Sequence, residues 1–160
     1  MAEASDLEAA AGMLQASTMG SMAFNTGRLG LVHGMAHPLG SHFHNPHGIA
    51  CGILLPPVMR FNLIACPQRY IDIAVGLEGS VSGDLLMEKA YCAVEAVERL
   101  MQECGVEVDF SSFQITEELI ATMADETLQS GVSFTNPRNA GKEDVINIFN
   151  DLFKSYGSKL

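Results

Sequence analysis

Residues 84–104 read DLLMEKAYCAVEAVERLMQEC. Apolar side chains return at Leu85, Met87, Ala90, Val94, Val97, Leu100 and Met101, which is the spacing of one face of an α-helix. The helix predicted from Asp84 to Cys104 stops at Gly105, because glycine readily takes the left-handed conformation that closes a helix. The same period recurs outward in both directions. Toward the C-terminus, Thr116 is placed to cap a helix from Glu117 to Gln129, ended by Gly131. A last helix from Lys142 to Tyr156 turns Val145, Ile148, Phe149, Leu152 and Phe153 inward. Toward the N-terminus, Pro67 sits well as the first residue of a helix through Val75. Before it, His47 to about Cys66 reads as a helix bent or divided at Pro56 and Pro57. A short helix carries Leu31 to His37, ended by Pro38. The first runs to Gly27, with Leu7, Ala11, Leu14, Thr18 and Met22 on one face and a capping box of Ser5 and Glu8. No stretch alternates with the period of a strand. These readings predict one all-α domain over residues 1–160.

Composition narrows the function. The chain carries a net charge of −10 with only nine Lys and Arg, which disfavours nucleic acid and anionic membrane surfaces as partners. The most apolar stretch, Ile49 to Met59, reads as too short to span a bilayer. The first residues have neither a basic nor an apolar signal region, so a cytoplasmic location is expected. Four cysteines at 51, 66, 92 and 104 form no paired motif and are expected to be buried, reduced thiols. Nine methionines and no tryptophan predict a Met-filled interior.

All five histidines, at 33, 37, 42, 44 and 47, fall in one segment. His33 and His37 are four apart and therefore share a helix face. His47 follows Pro46 and precedes Gly48, in a turn into the next helix. Two imidazoles on a helix and a third returned by a loop is a way to build a metal or proton-handling site. A zinc protease would need a Glu after the first histidine, and Gly34 stands there instead. Gly30 and Gly34 thin one side of the helix, for close helix packing or for a flat ligand. No glycine-rich dinucleotide or P-loop fingerprint is present.

At these residues a resemblance appears. GLVHGMAHPLG at 30–40, NPHG at 45–48 and ILLPPVMRFN at 53–62 resemble the signature of the iron-containing alcohol dehydrogenases. Asp125, and Asn136, Pro137 and Arg138 before the last helix, resemble that family's ending, so the likeness extends over essentially the whole chain. It implies an all-α bundle like the C-terminal, metal-holding domain of the dehydroquinate synthase-like fold. An N-terminal domain that binds NAD or NADP would precede it and is missing from these residues. His33 and His47, fourteen residues apart, match two of the family's four metal ligands. His37 matches a residue near the nicotinamide and is the candidate proton relay. The other two ligands, in the pattern Asp-x-x-x-His, do not occur here, so the chain is expected to be an excised piece or a truncated product, inactive alone.

For the complete enzyme, the resemblance implies Fe²⁺, with Zn²⁺ as the alternative, acting as a Lewis acid while NAD(P) exchanges hydride with a small alcohol, diol or aldehyde. Phe43 and Phe61 are candidates for the substrate pocket, with core packing the stronger expectation for Phe61. His42 and His44 are expected to be solvated. A homodimer is left open. Two other readings stand beside this one: a zinc-dependent enzyme resembling glycerol dehydrogenase, and a helical metal-binding or interaction domain without catalysis.

Overall fold

Asp6 caps the first helix: its carboxylate accepts a hydrogen bond from the N–H of Ala9 at 2.9 Å. The computed structural model describes residues 6–156, with the side chains of 132 and 133 left aside, so the predicted capping box at Ser5 lies partly outside the described residues. The helices are α1 (Leu7–Gly27), α2 (Leu31–Phe43), α3 (His47–Asn62), α4 (Pro67–Glu78), α5 (Leu86–Glu103), α6 (Glu117–Gln129) and α7 (Lys142–Ser155). Short 3-10 turns at Leu63–Ala65 and Val132–Thr135 complete the described residues, which contain no strand. The all-α expectation holds.

The stop at Pro38 and a division at Pro56 and Pro57 are not found. α2 continues through Pro38 to Phe43, and α3 runs undivided through Pro56 and Pro57. A proline inside a helix forfeits one backbone hydrogen bond and costs about 3 kcal/mol. What offsets it is burial beyond the proline. Leu39 and Phe43 on α2, and Val58 and Met59 on α3, are core residues, each contributing about 1.5–3 kcal/mol when fully buried. Because the Leu63–Ala65 turn extends α3, His47–Ala65 forms 19 residues long and apolar enough to cross a membrane. The apolar helix is thus longer than the Ile49–Met59 stretch within it. It packs against α2, α5 and α7 in the middle of the bundle.

The main core joins α2, α3, α6 and α7 around Met35, Leu54, Met123, Phe149 and Phe153. Phe43 meets Phe110 and Phe153 with ring centroids at 5.2 and 5.4 Å. It is a core residue. A second core lies where α4 and α5 pack against the end of α3, through Tyr70, Ala74, Ala90, Ala93 and Val94. Small alanines let these helices approach closely; of the predicted α5 face, Ala90 and Val94 are buried and Val97 and Met101 half-buried, whereas Leu85, Met87 and Leu100 are exposed. Among the described methionines, Met35, Met59 and Met123 are buried and Met101 is half-buried, whereas Met13, Met19, Met22 and Met87 are exposed, so methionine does not fill the interior. The cysteines are free thiols, but Cys51, Cys66 and Cys92 are half-buried and Cys104 is exposed.

Candidate metal centre

The start of α2 is set by a side chain far away in sequence. Gly30 has no side chain to cap the helix, and the Leu31 N–H instead donates to Asn136 Oδ1 at 3.2 Å. Asn136 is buried and paired with Asn62 in both directions: Asn62 Nδ2 donates to Asn136 Oδ1 at 3.0 Å, and Asn136 Nδ2 donates to Asn62 Oδ1 at 2.6 Å. A Cβ on Gly30 would stand 3.1 Å from Asn136 Oδ1, so the residue must stay small there. Arg138 donates to the Phe61 carbonyl at 3.0 Å and stacks over the Phe61 ring at 3.9 Å. The loop before α7 thus locks the first turn of α2 to the last turn of α3. Gly34 faces Ser130 and Thr127 on α6, which decides its role as helix packing.

On this frame α2 and α3 bring three imidazoles together. The ring centroids of His33 and His47 are 5.5 Å apart, and those of His37 and His47 are 5.8 Å apart. His33 is half-buried, while His37 and His47 are exposed. Burial, then the neighbouring charges of His47 and His37, hold His33 below the ordinary imidazole pKa. Both causes favour its neutral form, the form that binds a metal. The other two histidines lie elsewhere. His44 is exposed at φ 55°, closing α2, whereas His42 is not simply solvated: its Nε2 lies 3.1 Å from Glu126 Oε2. Asp125 bonds Lys142 at 2.7 Å, joining α6 to α7.

Cys51 belongs to the cluster and went unseen in the sequence reading. Its Sγ is 3.5 Å from His47 Nε2, and one ligand atom from each of His33, His47 and Cys51 lies within 4.8 Å of the others. Burial pushes the Cys51 thiol up. The signal was available: residues 47 and 51 are four apart on α3, the spacing already noticed for 33 and 37. His33 and Cys51 also border an open cleft of about 410 Å³, with Phe24, Leu55 and Asn136 among its walls. Imidazole nitrogens beside a thiol form a donor set that suits a divalent ion such as Fe²⁺ or Zn²⁺.

The model of the Fe-containing alcohol dehydrogenase family, C-terminal part, matches residues 1–153. The chain belongs to the iron-containing alcohol dehydrogenase family. It is 38% identical over 149 residues to 1,3-propanediol dehydrogenase of Citrobacter freundii, covering 93% of this chain and 38% of that protein. It is 38% identical over 146 residues to lactaldehyde reductase of Escherichia coli K12, covering 91% and 38%. Among solved structures, a 1,3-propanediol oxidoreductase superposes with a TM-score of 0.86 at 37% identity, covering 93% of this chain and 39% of that one. The chain therefore spans about two-fifths of the length of such relatives, in the C-terminal, helical part of this family's fold.

Proposed function

We propose that the chain is the metal- and substrate-holding part of an NAD(P)-linked alcohol dehydrogenase acting in the cytoplasm on a small alcohol or diol, or reducing the aldehyde. The convergence of His33, His37 and His47 from α2 and α3 carries this reading. Similarity to a propanediol dehydrogenase and a lactaldehyde reductase supports the substrate class. His33 and His47 hold the cation through neutral ring nitrogens. When bound, the cation supplies Lewis acidity toward an alcohol or carbonyl oxygen, and the nicotinamide supplies hydride exchange. His37 stands one turn beyond His33 at the exposed edge, where its ring nitrogen can pass the hydroxyl proton to water.

The test separates ligand from relay. Calorimetric titration with Fe²⁺ under anaerobic conditions, and with Zn²⁺, is expected to show binding that His33→Ala and His47→Ala remove and His37→Ala spares. Metal retained after His47→Ala, or lost after His37→Ala, overturns the assignment. In the chain extended by any in-frame upstream coding sequence, His37→Ala is expected to slow NAD(P)-linked oxidation of 1,3-propanediol by about 10²–10⁴-fold, the range of a lost proton-transfer group. The chain of these 160 residues is expected to bind NAD(H) negligibly, because it has no phosphate-cradling glycine loop; micromolar binding in the calorimeter would contradict this.

A further inference from the structure

Cys51 lies outside the ligand pattern that the family resemblance supplied, yet its sulfur points at the nitrogen of a proposed ligand. We infer that Cys51 is a third metal ligand, completing with His33 and His47 a His₂Cys site for a borderline-soft divalent cation such as Zn²⁺. The inference rests on the reading that His33 and His47 hold the metal. Its own support is geometric. In a tetrahedral zinc site with Zn–N near 2.0–2.1 Å and Zn–S near 2.3 Å, a nitrogen and a sulfur ligand stand about 3.6 Å apart. Cys51 Sγ and His47 Nε2 are 3.5 Å apart. The group His33, His47 and Cys51 is the one set of three ligating side chains found converging among the described residues.

The backbone enforces this arrangement. His47 and Cys51 lie one turn apart at the start of α3, so both side chains lean toward the same patch. His33 faces them from α2, whose position the Asn136 network fixes. Two of the other cysteines are engaged differently: Cys92 Sγ donates toward the Ser82 and Glu88 carbonyls, and Cys66 Sγ toward the Asn62 carbonyl. In the 160-residue chain these three side chains would hold the ion, the least number that normally retains a zinc. Binding releases the thiol proton to solvent as the sulfur–metal bond forms, and no electron is transferred.

Co²⁺ titration of the 160-residue chain, followed by absorption, reads sulfur ligation directly. The wild type is expected to develop a near-ultraviolet sulfur-to-cobalt charge-transfer band together with visible d–d bands. Cys51→Ser is expected to lose the first and keep the second. Its affinity should be weaker by about a hundredfold, roughly one ligand's share of a zinc site's binding free energy. His33→Ala and His47→Ala are expected to lose both. Cobalt bound through the histidines without a charge-transfer band overturns the role of Cys51 and leaves the histidine assignment standing. A charge-transfer band that survives both histidine substitutions, or no cobalt uptake by the wild type, overturns the two together. A second measurement needs no variant: saturating Zn²⁺ should slow iodoacetamide alkylation of Cys51 but not of exposed Cys104, read by peptide mass spectrometry. Equal alkylation of Cys51 with and without zinc overturns the proposal.

Discussion

The side-chain amide of Asn136 uses all of its hydrogen-bonding capacity. Its oxygen accepts from Leu31 N–H and Asn62 Nδ2, and its nitrogen donates to Asn62 Oδ1 and, at 2.7 Å, to the Arg138 carbonyl. Asn136→Ala would strand buried groups on α2 and α3, and is expected to cost about 1–3 kcal/mol in urea denaturation. Asn136→Asp should also destabilise, because a carboxylate cannot donate to Asn62 or Arg138. Either substitution should weaken Zn²⁺ binding, since the network places His33; unchanged zinc affinity in a folded variant would refute that coupling. Glu88 is a simpler case. Its carboxylate accepts from the N–H groups of Leu85 at 3.1 Å and Asp84 at 2.9 Å, which hold its pKa below the usual glutamate value. The folded pKa is the lower one, so the stabilisation is present above the unfolded value and disappears as pH falls through the folded value. Glu88→Gln is therefore expected to lower Tm near neutral pH, with the difference from wild type shrinking on acidification. A difference independent of pH would show that the charge is not what caps α5. At this scale the sequence revealed residues whose chemistry is unusual in itself, such as the clustered histidines. Asn136 and Cys51 owe their importance to neighbours 105 and four residues away, Cys51 marked only by its helical spacing from His47 and Asn136 only by the family resemblance.

α2 shows how local preference and packing compete. Pro38 marks a stop in sequence, but the helix carries buried Leu39 and Phe43 past it, so tertiary burial prevails over propensity. Where cap, period and burial agree, the sequence reading is accurate. In α6 the Thr116 hydroxyl accepts from the Leu119 N–H at 3.1 Å, and all five inward residues predicted for α7 are buried. The predicted face of α5 is covered only in part, because periodicity identifies an apolar face without saying how much of it a neighbour covers. Alanines at 90, 93 and 96 are buried and larger residues at 85, 87 and 100 are not. Gly34 tests the close contact of α2 with α6, where an added Cβ would meet Ser130 Oγ at 3.3 Å and Thr127 Cγ2 at 3.5 Å. Gly34→Leu is expected to destabilise by about 1–3 kcal/mol through overpacking. Gly34→Ala should cost much less, since the Ser130 hydroxyl can swing aside and alanine favours the helix by about 1 kcal/mol. Equal stability of the alanine and leucine variants in urea denaturation would show that α2 and α6 are not tightly apposed at this point.

For the molecule as a whole, α1 is the element that packing leaves unexplained. None of its residues is buried, although Leu7, Leu14 and Met22 recur along one side and are 79%, 71% and 69% exposed. A soluble chain seldom presents so much contiguous apolar surface without a partner. That exposure agrees with a chain that spans about two-fifths of its relatives' length, and it predicts behaviour in isolation. With nothing else to cover it, α1 should pair with α1 of a second copy. The net charge of −10 opposes but does not prevent this, because surface repulsion is screened at physiological salt within about 8 Å. Sedimentation velocity at micromolar concentration is expected to show dimers or larger species, increasing with salt as the repulsion is screened. Replacing Leu14 and Met22 together with Glu should return the chain to a monomer. Its helical circular dichroism and the urea midpoint of the core should stay unchanged, since neither residue touches that core. A wild-type chain that remains monomeric in high salt, or a double variant that still associates, would place the contact on another surface, such as the exposed Ile73, Val75 and Leu77 of α4.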